Sequence, residues 1–107
     1  MNQRSQLQNV DHITLAVSDI AKTLHWYQTS FACNVLEQST TRGVLEFGNL
    51  RIVLVLPSQQ PQHLAFERED AKTFGPLAPS DDGRLSLYLS DPAGSLVEII
   101  QPNEKQL

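Results

Sequence analysis

Three side chains of this sequence could hold a metal ion, and each occupies a comparable place in a weak internal repeat. His12 opens the run His12-Ile13-Thr14-Leu15-Ala16-Val17-Ser18-Asp19, and His63 opens His63-Leu64-Ala65-Phe66-Glu67-Arg68-Glu69-Asp70. In both runs an Asp follows the His by seven residues and a helix-like segment begins. Glu98 lies on the strand-like run that closes the second copy. Two neutral imidazoles and one carboxylate suit Fe(II), Mn(II), Ni(II) or Zn(II), and three protein donors leave positions open for substrate oxygens. Strand alternation puts His12, Thr14 and Ala16 on one face, and likewise His63 with Ala65, and Glu98 with Leu96 and Ile100. A carboxylate flanked by Leu96 and Ile100 on an inward face is costly unless paired. A metal shared with two imidazoles removes that cost. So does a hydrogen bond from one imidazole, and on spacing alone a hydrogen-bonded groove is the simpler reading.

The elements that must position these residues follow from periodicity. Val10 to Val17 reads as a strand, and Asp19 is a good helix N-cap. Ile20, Leu24, Tyr27 and Phe31 recur at one helical face. Strands are predicted over about 33–39, 42–47 and 50–56, the last two joined by a tight turn at Gly48-Asn49. After a polar linker, Ser58-Gln59-Gln60-Pro61, a strand covers about 63–67, and Asp70 is placed to cap a short helix reaching Phe74. Gly75-Pro76 and Pro79 prevent its continuation. A turn at Asp81-Asp82-Gly83 leads to a strand over 85–89. Asp91-Pro92-Ala93-Gly94 fits a type I turn before the closing strand, 96–100. Gly48 follows His12 by 36 positions and Gly94 follows His63 by 31, so the second copy is shorter, with the deficit in Glu69–Pro79. Aligning these two Gly residues sets Ile52 opposite Glu98.

Composition narrows the function classes. The 107 residues make one small domain, and 40% hydrophobic content is that of a globular chain. A net charge of −4 without a basic cluster argues against nucleic-acid or anionic-membrane partners. The run Ile52–Leu56 is far too short to span a bilayer, and Met1–Gln6 has no apolar signal core. With a single cysteine, Cys33, no intrachain disulfide can form, which fits a reducing cytoplasm. Cys33 itself reads as a small apolar residue at a strand start.

These residues resemble the vicinal oxygen chelate superfamily, which includes glyoxalase I, bleomycin-resistance proteins, fosfomycin-resistance enzymes and extradiol dioxygenases. The matching stretches are Asp11–Asp19, His63–Phe66 and Leu87–Ile100, the last carrying an Asp-Pro-x-Gly turn ahead of a Glu-bearing strand. The resemblance implies an α+β fold of two paired β-α-β-β-β modules, about 9–57 and 62–102, whose curved sheets enclose a cleft. It also implies one divalent metal held by His12, His63 and Glu98, and it turns the reading from a hydrogen-bonded groove to a metal site. Glyoxalase I has a further Glu where the Gly alignment puts Ile52, so glyoxalase I activity is disfavoured. The extra His or Tyr groups of the extradiol branch find no clear counterpart, since His25 falls on the helix. The cations of the fosfomycin branch have only Lys105, in the tail, to match them.

Tyr88, on the strand before the Asp-Pro turn, is the candidate acid near the metal, with its facing left open. Trp26 and Tyr27 read as packing residues more readily than as a stacking platform. Arg51 and Arg84 are candidates for an anionic substrate, Arg51 with an expected outward face, and Glu46 is a reserve ligand or base that reads more readily as an exposed strand carboxylate. The expected function is a metal-dependent isomerase, lyase or dioxygenase acting on a small molecule chelated through oxygen atoms. The alternative is a metal-free drug-sequestering protein of the bleomycin-resistance type. A homodimer is expected, because a shortened second module leaves sheet edges to cover.

Overall fold

The computed structural model describes residues 7–80 and 82–103. Met1–Gln6, Asp81 and Lys105, each used in the sequence reading, lie outside those residues. One eight-stranded mixed sheet forms the molecule. Its strands are β1 (Val10–Ala16), β2 (Asn34–Gln38), β3 (Arg42–Glu46), β4 (Arg51–Val55), β5 (His63–Glu67), β6 (Ala78–Pro79), β7 (Leu85–Ser90) and β8 (Leu96–Gln101). The spatial order β2-β3-β4-β1-β5-β8-β7-β6 has a centre of symmetry in its connectivity. On each side of the β1–β5 seam, a half's first strand runs parallel to its last, β1 with β4 and β5 with β8.

The first half carries helix α1 (Ile20–Ser30) on the outer face. Asp19 caps it as expected, its carboxylate accepting from the Lys22 backbone N–H at 2.9 Å. Ile20 and Leu24 pack on Leu45 and Leu54, all almost fully buried. Burial of a Leu of this kind stabilises the fold by about 1.5–3 kcal/mol. The helix lies close because Gly43 has no Cβ: one built there would meet Ile20 and Leu24 side-chain carbons at 3.1 Å. Cys33 packs half-buried against this core.

The second half replaces α1 with a four-residue 3-10 helix, Ala71–Phe74. Asp70 does not cap it. Its carboxylate instead takes the guanidinium fork of Arg68 at 2.8 and 2.9 Å, a charge-assisted pair that competes with capping. The chain then turns at Gly75 (φ +149°), and β6 pairs with β7 only through Ala78–Ser86 and Pro79–Leu85. The following strand is thus reduced to two residues, as the shortened repeat predicts. In the β7–β8 turn, Gly94 takes φ +89° and the Asp91 carboxylate accepts from the Ala93 and Ser95 N–H groups. Among the described residues no helix is long and apolar enough to cross a membrane.

Candidate metal centre

The seam brings the candidate ligands together. On β1 and β5, His12 lies opposite Ala65 and Thr14 opposite His63, and on β5 and β8, Ala65 pairs with Glu98. His12, His63 and Glu98 therefore share the face away from α1, within one chain. Each offers a ligand atom, and these atoms lie within 4.8 Å of one another. His63 and Glu98 are buried, and the space above them measures about 30 Å³, enough for an ion with little accompanying water.

Hydrogen-bond chemistry fixes what this cluster wants. The Pro61 carbonyl lies 2.9 Å from His63 Nδ1 and can only accept, so Nδ1 carries the proton. In the neutral ring, Nε2 then presents a lone pair, and it faces Glu98 Oε1 at 3.2 Å. His12 repeats the pattern: Nδ1 lies 2.8 Å from the Asp11 carboxylate, and Nε2 lies 3.7 Å from the same Glu98 oxygen. Two lone pairs aimed at one carboxylate oxygen require a cation between them, either a proton or a metal. Both rings also have the outer partner that metal-ligating imidazoles usually have. The donor set thus fits a divalent transition metal. The other carboxylate oxygen, Oε2, accepts from Ser86 Oγ at 2.8 Å. Burial pushes the Glu98 carboxyl up, but His63 when its ring is protonated, the hydrogen bond from Ser86 and the His12 imidazolium outweigh it, leaving it below its ordinary value.

Tyr88 pairs with Glu98 across β7 and β8 and so faces the site. Its ring meets His63 edge-to-face at 5.2 Å, and its hydroxyl donates to Gln60 Oε1 at 3.4 Å. Other sequence candidates fall elsewhere. Ile52 is not the counterpart of Glu98. Arg51 pairs with His12 and Val53 with Thr14, as Leu96 pairs with His63 and Glu98 with Ala65, so the counterpart is Val53, at the floor of the site. Ile52 packs toward α1, and Arg51, expected to face outward, shares the face of His12. The missing fourth carboxylate is unaffected, because Val53 has no donor either. Glu46 is bonded to Asn34 Nδ2 at 3.1 Å, outside the cluster. His25 is exposed on α1, while Trp26 and Tyr27 stack with Phe31 on the outer surface.

Arg84 is not open to an anionic substrate, because carboxylates surround it. It donates to Asp11 at 3.0 and 3.3 Å, to Glu67 at 3.0 Å and to Asp82 at 2.8 and 3.0 Å. Asp11 is held well below the usual carboxylate range by its bond to His12, against the effect of burial, and by Arg84. Burial raises Asp82, yet its bonds from Arg84 and Ser80 bring it down to about 2. Sequence reasoning missed Asp11, Ser86 and the Pro61 carbonyl. Strict alternation puts Asp11 on the face opposite His12. A β-bulge between Val10 and His12 breaks that alternation, and no residue type signals it.

A comparison with family models finds no match, and neither does a comparison with curated proteins. Solved structures do match. Methylmalonyl-CoA epimerase from Mycobacterium tuberculosis aligns at TM-score 0.72 and 14% identity over 90% of this chain and 89% of that one. A glyoxalase/bleomycin resistance protein/dioxygenase superfamily member from Vibrio splendidus 12B01 aligns at 0.70 and 12%, covering 90% and 100%. Streptomyces coelicolor methylmalonyl-CoA epimerase (Q60A), in complex with 2-nitronate-propionyl-CoA, aligns at 0.71 and 17%, covering 92% and 99%. The fold is therefore that of the vicinal oxygen chelate superfamily, as the sequence resemblance implies.

Proposed function

We propose that this chain is a metal-dependent enzyme of the glyoxalase/dioxygenase type, acting on a small molecule that chelates through oxygen atoms. The supporting observation is the convergence of the two imidazole Nε2 atoms on Glu98 Oε1, with each Nδ1 held by an outer acceptor. His12, His63 and Glu98 would hold Fe, Mn, Ni or Zn. Such an ion supplies Lewis acidity to a carbonyl, enolate, epoxide or catecholate oxygen. Thr14 and Val53 shape the floor beside it, and Tyr88 stands at the mouth, where its Oη can hold a proton for the substrate. The class of reaction is isomerisation, elimination or oxygen insertion. Isomerisation is what the epimerases of this fold carry out. Val53 in place of a fourth donor keeps glyoxalase I chemistry disfavoured.

One observation favours a second reading, metal-free sequestration of a small molecule. A groove of about 760 Å³ opens beside Tyr88, lined by Pro61, Phe74, Pro76, Pro79 and Leu96. Its size and apolar walls suit a bulky ligand.

Metal content decides between them. Protein purified without chelators or a histidine tag should carry close to one divalent ion per chain, lost in His63→Ala. No ion, even after reconstitution with Fe(II), Mn(II), Ni(II) and Zn(II), overturns the enzyme reading, and ligand affinity that survives chelators then supports sequestration. A homodimer in a reducing cytoplasm belongs to the same proposal. Beyond β6 the outer edge of β7, Leu87–Ser90, has no ladder partner among the described strands. Sedimentation velocity should give twice the chain mass.

A further inference from the structure

We infer that Asp11 and Arg84 are positioning residues that aim His12 at the metal centre, so that one candidate ligand is held by a side-chain relay from the opposite half of the molecule. The inference rests on the metal reading above for its affinity arm alone. Its geometry is independent of any ion. Arg84 precedes β7 and lies beside Ser80 and Asp82, which line the mouth of the site. Its two Nη atoms reach both oxygens of Asp11, at 3.0 and 3.3 Å, a forked contact that fixes the plane of the carboxylate. The β1 bulge turns Asp11 out of strict alternation, so that its Oδ2 also meets His12 Nδ1 at 2.8 Å. That bond sets the tautomer: with the proton on Nδ1, the Nε2 lone pair points at Glu98.

The two imidazoles are held differently. His63 takes its orientation from the Pro61 carbonyl, a backbone group two residues away that no substitution of a side chain removes. His12 depends on a carboxylate that itself depends on an arginine 73 positions along the chain. Glu67 and Asp82 balance the remaining donors of Arg84, so that it serves as a fixed support for Asp11. The same arginine is tied to Ser80 and Asp82 beside the cleft: Asp82 Oδ1 accepts from Ser80 Oγ and from the Arg84 N–H, and the Ser80 N–H donates to the Arg84 carbonyl at 2.7 Å.

The test uses the full chain with Asp11→Asn, Arg84→Met and their double variant, with Glu67→Gln as a control that removes an Arg84 partner without touching Asp11. Ring nitrogen chemical shifts of the metal-free protein, recorded at about pH 9, above the ordinary imidazole range, report each tautomer. His12 is expected as Nδ1–H in the wild type and in Glu67→Gln, with a shift toward Nε2–H in Asp11→Asn and Arg84→Met, while His63 stays unchanged in all four. Zn(II) affinity should fall about 10–100-fold in Asp11→Asn and Arg84→Met. The double variant should lose no more than the worse single one, because both act through the same ring. An unchanged His12 tautomer in Asp11→Asn overturns the inference, whether or not the wild type binds an ion. Zn(II) binding by wild type and Asp11→Asn within twofold of each other overturns it while leaving the metal centre standing. The tautomer shift without Zn(II) binding by the wild type supports the inference and sinks the metal reading. A folded control comes from circular dichroism; should Arg84→Met not fold, Arg84→Lys, which keeps the charge but not the fork, gives the same tautomer readout.

Discussion

The two halves of the sheet have the same connectivity and divide the work unequally. The first half closes an apolar core under α1, with Leu24, Leu45 and Leu54 at or below 1% exposure. It gives the site one donor, His12. The second half has four residues of 3-10 helix where α1 would lie, and a two-residue β6. It gives His63, Glu98, Ser86 and Tyr88. The buried apolar clusters thus lie on one side of the seam and most polar side chains of the candidate site on the other. The shared connectivity permits this, since the parallel strand pairs that place the candidate ligands (β1 with β4, β5 with β8) survive when the covering helix shrinks.

The most severe way to break that comparison is to hollow out each cover. Leu24→Ala should cost about 2–5 kcal/mol, as for buried Leu truncations generally. Phe74→Ala, from the half-exposed 3-10 helix, should cost less than about 1 kcal/mol. Urea unfolding of both variants checks this, and equal losses would mean that the second half carries as much of the fold as the first.

Next in size is the contribution of the centre itself. With metal at 100 times its dissociation constant, the wild type should gain about 2.7 kcal/mol in stability from binding to the folded state alone. Glu98→Gln should show little of that gain, and its metal-free melting temperature tests whether the buried carboxylate was itself destabilising. A Glu98→Gln melting point that rises with metal as the wild type does would remove Glu98 from the ligand set.

The smallest effect sharpens the contrast through pH. Asp82 has a folded-state value near 2, depressed relative to the ordinary aspartate. A depressed carboxylate stabilises the fold above its unfolded value, and that contribution disappears as pH falls through the folded one. Between about pH 4 and pH 2 the wild type should therefore lose more stability than Asp82→Asn, with a modest difference because Asp82 is partly exposed. Thermal melts across that range measure it, and parallel curves for the two proteins would show that the charge of Asp82 contributes nothing to the fold.

Much of this was legible in the residues. The helical face Ile20, Leu24, Tyr27, the capping Asp19 and the turn at Asp91–Gly94 follow from local periodicity and turn chemistry, and the convergence of His12, His63 and Glu98 follows from the resemblance. What escaped depends on backbone detail. Gly48 and Gly94 look equivalent but sit at different places in their turns: β4 begins three residues after Gly48 and β8 two after Gly94. That single offset exchanges Val53 for Ile52 and turns Arg51 to the wrong face, since one residue of slip reverses a strand. Asp11 escaped because a bulge suspends the alternation rule at that one residue. Asp70 stands at the N-cap position of the 3-10 helix but makes no side-chain cap bond, because Arg68, two positions away, holds its carboxylate.

The seam between β1 and β5 has a further consequence. Leu56–Gln62 is the covalent crossing between the halves, and among the described residues the other links include the β1–β5 ladder and the contacts of Arg84 with Asp11 and of Gln8 with Glu67. His12 lies on one side of that seam, with His63 and Glu98 on the other. A chain cut in this linker would yield two fragments, neither with a full set of donors. With the proposed metal site, uptake by their mixture would report reassembly of the halves, a gauge of whether the two have come together in register.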